Sequence, residues 1–264
     1  MEPSKDFFPI AFTGSTGSIG SQMPKGPWPL KTRLEASVEE RLDEIKKLPS
    51  IPKAIIHLAA LTVVGECESN PDKAYELNVK GAVKWYQAAV KSECPRFIFA
   101  STCHVYGPAK NNEKLTIDSA IDPKSAYARS KWLAETELRT LALSHLSTSL
   151  SVARIFSVLS PLRRSGFLLT TLHERAQKKD YSPIKGLSNI RDFMESKDIC
   201  LELIRLAQSN EMPKLVNICS GKGTKVREIA ERVFKEYDLD ITQLKEAADT
   251  NPSIPYIVGV PSEF

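Results

Sequence analysis

The chain has 264 residues, 42% hydrophobic and 26% charged, and Lys plus Arg (36) exceed Asp plus Glu (32) by a net +4. So small an excess is no electrostatic footprint for nucleic acid, and 12 Gly with 17 Pro exclude collagen-like or low-complexity chains. The longest apolar run, 54–64, is too short to span a bilayer, and Pro9 interrupts the N-terminal run with no small-residue cleavage site after it; no membrane partner and no signal peptide are expected.

Short apolar runs alternate with longer helical patterns, which predicts a parallel sheet wrapped by helices. The first predicted strand, 10–13, runs directly into Gly14-Ser15-Thr16-Gly17-Ser18-Ile19-Gly20. Three glycines at this spacing after a strand let the backbone approach a pyrophosphate and point N–H groups at it. A dinucleotide site then calls for a helix, followed by a second strand ending in an acidic residue ~20 positions on. Instead Pro24, Pro27 and Pro29 follow, and interior prolines cost a helix ~3 kcal/mol each, so no long helix is expected there. No clear second strand precedes Ala54. Lys31 and Arg33 stand near where the acidic residue would be sought; solvated loop charges are the ordinary reading, a 2′-phosphate contact the other.

Further on, a helix is predicted at 38–48, a strand at 54–58, and a helix at 71–92 opened by an Asn70 cap with Pro71 at its first position. A strand at 97–100 ends in Ser101-Thr102, followed by a helix at 126–143 and a strand at 151–155. After Ser157 the alternation loosens, with a helix at 197–208, a strand at 215–218, and a helix at 226–237 preceded by Thr224. The expected division is a cofactor-binding and catalytic domain, 1–157, and a mainly substrate-binding lobe, 158–264, whose strand near 215–218 returns to the sheet. The five cysteines are odd in number and none are spaced C-x-x-C, which signals neither a disulfide framework nor a zinc site and suits a reducing, cytoplasmic compartment.

Tyr127 and Lys131 are four residues apart, hence on one helix face. A nearby ammonium is expected to favour phenolate and lower the tyrosine pKa from its unperturbed ~10. Hydroxyls at the end of the 97–100 strand stand at the ligand-binding edge of the sheet, where one can donate to the substrate oxygen whose proton Tyr127 handles.

Taken in order, Gly14-x-x-Gly17-x-x-Gly20, His57-Leu58-Ala59-Ala60-Leu61, Asn78-Val79-x-Gly81, Ser101-Thr102 before Val105-Tyr106-Gly107, and Tyr127-x-x-x-Lys131 form a specific series. Arg154 before Ser160-Pro161, Arg191-Asp192-Phe193, and Asn217-Ile218-Cys219-Ser220-Gly221 extend it. The chain resembles the extended short-chain dehydrogenases/reductases of the NAD-dependent epimerase/dehydratase group, most closely the UDP-glucose 4-epimerase branch, from about Ile10 to Ser220. The resemblance implies a Rossmann-like doubly wound parallel sheet, here with a shortened first βαβ unit and a small C-terminal substrate lobe. It implies Thr102, Tyr127 and Lys131 as catalytic residues, the last also binding the nicotinamide ribose. Gly14, Gly17, Ser18, Ile19, Gly20, Leu58, Ala59 and Ala60 would line NAD or NADP. Arg191 would hold the diphosphate of a nucleotide-sugar substrate, since a guanidinium fork matches phosphate oxygens in pairs. A homodimer through the helices at 71–92 and 126–143 is also implied.

Cys103-His104 stand where dehydratases of the group carry an Asp-Glu pair, so dehydration is not expected. Cys103 or His104 is instead a candidate acid/base for inverting a carbon beside a ketone, with His173 in partnership. Thr62 replaces a substrate-contacting lysine and Ser157 the usual asparagine of the sugar pocket, while His57 and His145 read as structural. The expected activity is a nucleotide-sugar 4-epimerase or 4-keto reductase with no metal. The alternative is a degenerate non-catalytic paralogue that binds a nucleotide or protein partner. The resembling group is usually longer, and the shortfall falls mainly between Gly20 and Ala54, with a further part at the C-terminus.

Overall fold

The computed structural model describes residues 8–107, 109–162, 165–248 and 255–264. A six-stranded parallel sheet runs in the order β2-β1-β3-β4-β5-β8. Its strands are β1 (Ile10–Thr13), β2 (Trp28–Leu30), β3 (Ala54–His57), β4 (Arg96–Thr102), β5 (Ser149–Ile155) and β8 (Leu215–Ile218). Contrary to the sequence expectation, a second strand does precede Ala54. Only three residues long, it pairs Trp28, Pro29 and Leu30 with Ala11, Phe12 and Thr13. Proline is tolerated because β2 is an edge strand, whose outer side asks for no ladder donor. Buried Leu30 pins it to the core.

Helices cover both faces. On one lie α1 (Val38–Lys46), α4 (Gly81–Lys91) and α5 (Ala126–Ala142), packed through Trp85, Tyr86, Phe97 and Phe99. Ser37 opens α1 with a reciprocal cap to Glu40. The short helices α2 (Val64–Ser69) and α3 (Pro71–Tyr75) precede α4, and Asn70 caps α3 by accepting from the Lys73 N–H, as expected. Between α3 and α4 one turn, Glu76–Lys80, widens to π geometry. On the other face lies α7 (Ser196–Gln208), whose Ile199, Leu203 and Leu206 meet Ile10, Ile56, Ile98 and Val216. The glycine turn leads there only into a single tight turn, Gly20–Gln22, and Ile19 and Met23 pack where a longer helix would otherwise cover the sheet.

The remaining elements form a smaller sheet and two helices at the C-terminal ends of the main strands. These are β6 (Ser157–Leu159), α6 (Leu168–Gln177), β7 (Ile190–Glu195), β9 (Gly223–Lys225), α8 (Val226–Lys235) and β10 (Tyr256–Ile257). The order is β10-β7-β6, with β9 antiparallel to β7. Thr224, read as preceding the last helix, lies in β9; the N–H of Lys225 at the start of α8 is capped instead by the Glu228 carboxylate. Buried Asp192 ties this lobe to the sheet, accepting from Ser220 N and Oγ, Gly221 N and Gly259 N at 2.6–3.2 Å. All five cysteines are free and buried, and no helix among the described residues is long and apolar enough to cross a membrane.

Candidate active site

A cleft of about 800 Å³ lies between the C-terminal ends of the main strands and the smaller lobe. Its floor is the glycine turn, all of whose residues from Gly14 to Gly20 line it. Gly14 sits at φ +74°, and a Cβ there would stand 2.8 Å from the Ala59 nitrogen. A Cβ on Gly20 would stand 2.2 Å from the Gly14 carbonyl oxygen. The turn is therefore closed on itself and on the β3 end, leaving its backbone open to the cleft. A Gly17 N–H to Gly14 carbonyl bond of 2.8 Å and the Ser160 hydroxyl on the Ser18 carbonyl, 2.9 Å, hold it.

The wall beyond β3 is Leu58, Ala59 and Ala60. Thr13, at the end of β1, accepts from the N–H groups of Leu58 and Ala59 at 3.1 Å each. With its oxygen accepting twice, the Thr13 hydroxyl gives its proton to His57 Nδ1, 2.8 Å away. His57 is buried and neutral, its pKa held well below the ordinary value by desolvation and then by the charges of Lys131 and Arg41; it is structural, as read. Asn78, in the widened turn, fixes the same wall through Leu61 N (2.7 Å) and Leu61 O (2.9 Å), and donates to Ser130 Oγ (2.9 Å).

Thr102 at the end of β4 and Tyr127 and Lys131 on α5 all line this cleft. Their protonation differs from the sequence expectation. Desolvation dominates and raises the Tyr127 pKa above its ordinary value, with Thr102 hydrogen bonding opposing, so the free protein holds a phenol. Desolvation likewise pulls Lys131 down to about 7, with Glu135 opposing. The Lys131 ammonium lies 4.0 Å from the Phe99 ring centroid, and among the described residues no hydrogen bond joins it to Tyr127. Burial disfavours both charged forms more than either stabilises the other.

His104 and Arg191 line the cleft, as does Ser157. His104 is exposed to the cleft, and desolvation there, then the Arg191 charge, lowers its imidazole pKa from the ordinary value. Thr62 is part of the lining as well. Cys103 and His173 do not line this cleft. Cys103 is 2% exposed, packs against Tyr106 and Phe156, and has its thiol pushed up to about 12 by burial. His173 points into a second, smaller hollow and meets the Tyr237 hydroxyl at 3.1 Å. A His104–His173 partnership is therefore not formed. Among the described residues no group of three or more His, Cys, Asp or Glu is placed to hold a metal ion.

Behind the cleft lies a network that sequence reasoning missed. Glu135, one helical turn beyond Lys131, is fully buried. It accepts from Ser101 Oγ (2.5 Å), Arg154 Nε and Nη2 (3.1 and 2.8 Å) and Arg139 Nη2 (2.9 Å). Its i, i+4 spacing from Lys131 was the available signal. Leu30, Thr32 and Leu34, which also line the cleft, carried none.

The parallel sheet, the closed glycine turn at its ligand edge and the deep cleft define a dinucleotide-binding α/β enzyme of the Rossmann type. Residues 32–219 match the NAD dependent epimerase/dehydratase family, and the chain belongs to that family. GDP-6-deoxy-D-mannose reductase of Pseudomonas aeruginosa is 24% identical over 250 residues, covering 88% of this chain and 81% of that one. GDP-6-deoxy-D-talose 4-dehydrogenase of Aggregatibacter actinomycetemcomitans is 27% identical, covering 97% and 89%. The crystal structure of UDP-glucose 4-epimerase from Thermotoga maritima with UDP-glucose has a TM-score of 0.82 at 19% identity, covering 96% and 90%; that likeness is one of fold. Solved structures of the same fold include complexes with NAD and with NADPH, and the family to which the chain belongs is NAD-dependent.

Proposed function

We propose that the protein is an NAD(P)-dependent nucleotide-sugar oxidoreductase, a 4-keto reductase or 4-epimerase, working through Thr102, Tyr127 and Lys131. The observation that carries this reading is the convergence of these three side chains, the glycine turn and Arg191 on one cleft. The nucleotide diphosphate of the sugar lies against Arg191, a cation with no carboxylate partner among the described residues, whose Nη1 donates to the carbonyls of Ile190 and Pro255. Ser157 and His104 line the sugar pocket beside it. A dinucleotide bound against the glycine turn would supply or take the hydride exchanged at the sugar C4.

On reduction, Tyr127 Oη gives its proton to the C4 oxygen, which becomes a hydroxyl. The Thr102 hydroxyl donates a hydrogen bond to that oxygen as negative charge develops on it. Burial keeps Tyr127 a proton donor at neutral pH, which suits the reductive direction first. Lys131, buried behind it, holds the ribose of the cofactor and supplies the charge that balances a phenolate once one forms.

The test is a panel of GDP- and UDP-linked sugars and 4-keto sugars incubated with NADH and NADPH, following nicotinamide absorbance and product stereochemistry. Tyr127→Phe is expected to lower turnover at least ~10³-fold with an unchanged melting temperature. Unchanged turnover would refute the assignment. A second reading, a non-catalytic nucleotide-binding paralogue, has one observation in its favour: a single tight turn replaces the helix after Gly20. It expects no turnover with any member of the panel. The exposed Leu133 on α5 favours a homodimer through α4 and α5, and five free cysteines favour a reducing, cytoplasmic setting.

A further inference from the structure

The choice between NAD and NADP falls to the end of the second strand. In a sheet of this order the adenosine ribose lies beyond the C-terminal end of β2, where a carboxylate receives free ribose hydroxyls and a cation receives a 2′-phosphate. Here β2 ends at Leu30, and Leu30, Lys31, Thr32, Arg33 and Leu34 all line the cleft. Lys31 and Arg33 are exposed, and neither forms an ion pair among the described residues.

The carboxylate that could oppose them is already engaged. Glu44 of α1 accepts from Lys31 N at 2.5 Å, from Thr32 N at 2.8 Å and from the Thr32 hydroxyl, and it does not line the cleft. The neighbouring Glu35 does not line it either. Arg41, three residues before Glu44 on α1, is fully buried over the Trp85 ring and donates through Nη2 to the carbonyls of Leu34 (2.6 Å) and Arg33 (3.4 Å). One face of α1 thus grips the segment after β2 by its N–H groups at one end and its carbonyls at the other. The backbone carrying Lys31 and Arg33 is fixed before any ligand arrives, and the buried Arg41 guanidinium adds positive charge beneath it.

We infer that this chain takes NADP(H) in preference to NAD(H), with Lys31 and Arg33 receiving the 2′-phosphate at the end of β2. The inference rests on the proposed function in one respect, that a dinucleotide occupies this cleft. A 2′-phosphate offers these two cations charge-assisted contacts, which a bare ribose cannot.

The test is direct titration of the full chain with NADPH and with NADH, read by nicotinamide fluorescence and needing no turnover. Competition by adenosine 2′,5′-bisphosphate against 5′-AMP reads the same subsite without the nicotinamide. NADPH is expected to bind roughly a hundredfold more tightly than NADH, with about tenfold from each cation. Lys31→Ala and Arg33→Ala should each weaken NADPH about tenfold while NADH affinity changes less than about twofold, and Arg33→Lys should retain part of the preference. Both positions are exposed, so melting temperatures should hold. NADH binding as tightly as NADPH, or variants that weaken both equally, would overturn the inference and leave the oxidoreductase reading standing. Binding of neither dinucleotide would overturn both.

Discussion

The sharpest test of how α5 is held is Glu135→Gln. Glu135 is 0% exposed and Arg154 2% exposed, and four donors converge on the two carboxylate oxygens. Glutamine keeps one acceptor oxygen but places an NH2 against guanidinium N–H groups on whichever side it turns. If the amide takes the Oε2 position it faces both Arg154 and Arg139; at Oε1 it faces Arg154 Nε and Ser101. The Arg154 charge is left buried and uncompensated, a loss of about 3–5 kcal/mol. At ~2–4 °C per kcal/mol for a chain of this size, the melting temperature should fall by roughly 6–20 °C. The exposed pair Lys80–Glu76 is the control: Glu76→Gln should leave stability close to that of the wild type. Urea unfolding followed by circular dichroism measures both, with an unchanged m value confirming that the native state is compared. The double variant Glu135→Leu/Arg154→Met should recover most of the loss, because a paired charge replaced by apolar groups is near neutral. A single-variant loss below about 1 kcal/mol would refute the desolvated pair.

Gly20→Ala forces a Cβ to within 2.2 Å of the Gly14 carbonyl oxygen, so the turn must open; a cost of ~1–3 kcal/mol and at least tenfold weaker dinucleotide binding are expected by thermal melting and fluorescence titration. Wild-type affinity in that variant would show that the turn does not shape the site. Lys131, with a pKa of about 7 in the folded chain against ~10.4 when unfolded, leaves the unfolded state holding more protons between these values, so it makes stability rise with pH across that window. The buried cysteines and Tyr127, with raised pKa values, pull the other way above their unfolded values, so the readout is the difference between wild type and Lys131→Met. That difference should grow as pH falls from about 10 to below 7, by up to ~4 kcal/mol, and a flat difference would refute the burial of the amine.

The strands at 10–13 and 215–218 were legible to the residue, because each is a short apolar run buried on both faces. The three-residue β2 was not, since a period-two pattern cannot be read from Trp28-Pro29-Leu30 and its pairing depends on β1 lying beside it. The glycine turn, Thr102, Tyr127 and Lys131 were legible as a series of spacings, and the cleft brings them together. Adjacent positions divided in a way spacing could not foretell: His104 reaches the cleft, whereas the Cys103 side chain turns into the apolar cluster beneath. His173 failed for a different reason, because α6 packs against α8 and carries the imidazole to Tyr237, outside the cleft. The clamp of Arg41 and Glu44 was invisible because both residues look like surface charges on an amphipathic helix.

The same helix face also explains why the tyrosine expectation reversed. Tyr127, Lys131, Glu135 and Arg139 follow one another at i, i+4 spacing on α5, yet their surroundings are not alike. Tyr127 is half-buried at the cleft, Lys131 is 3% exposed against Phe99, and Glu135 is sealed among arginines. A charge on Lys131 is therefore supported from behind, by Glu135, and not from the cleft. Glu135 itself is shared among Arg154, Arg139 and Ser101, which weakens what it can offer the lysine. The site consequently rests with a neutral phenol and a lysine near its midpoint at neutral pH, and not with the charge-activated pair that the spacing alone suggests.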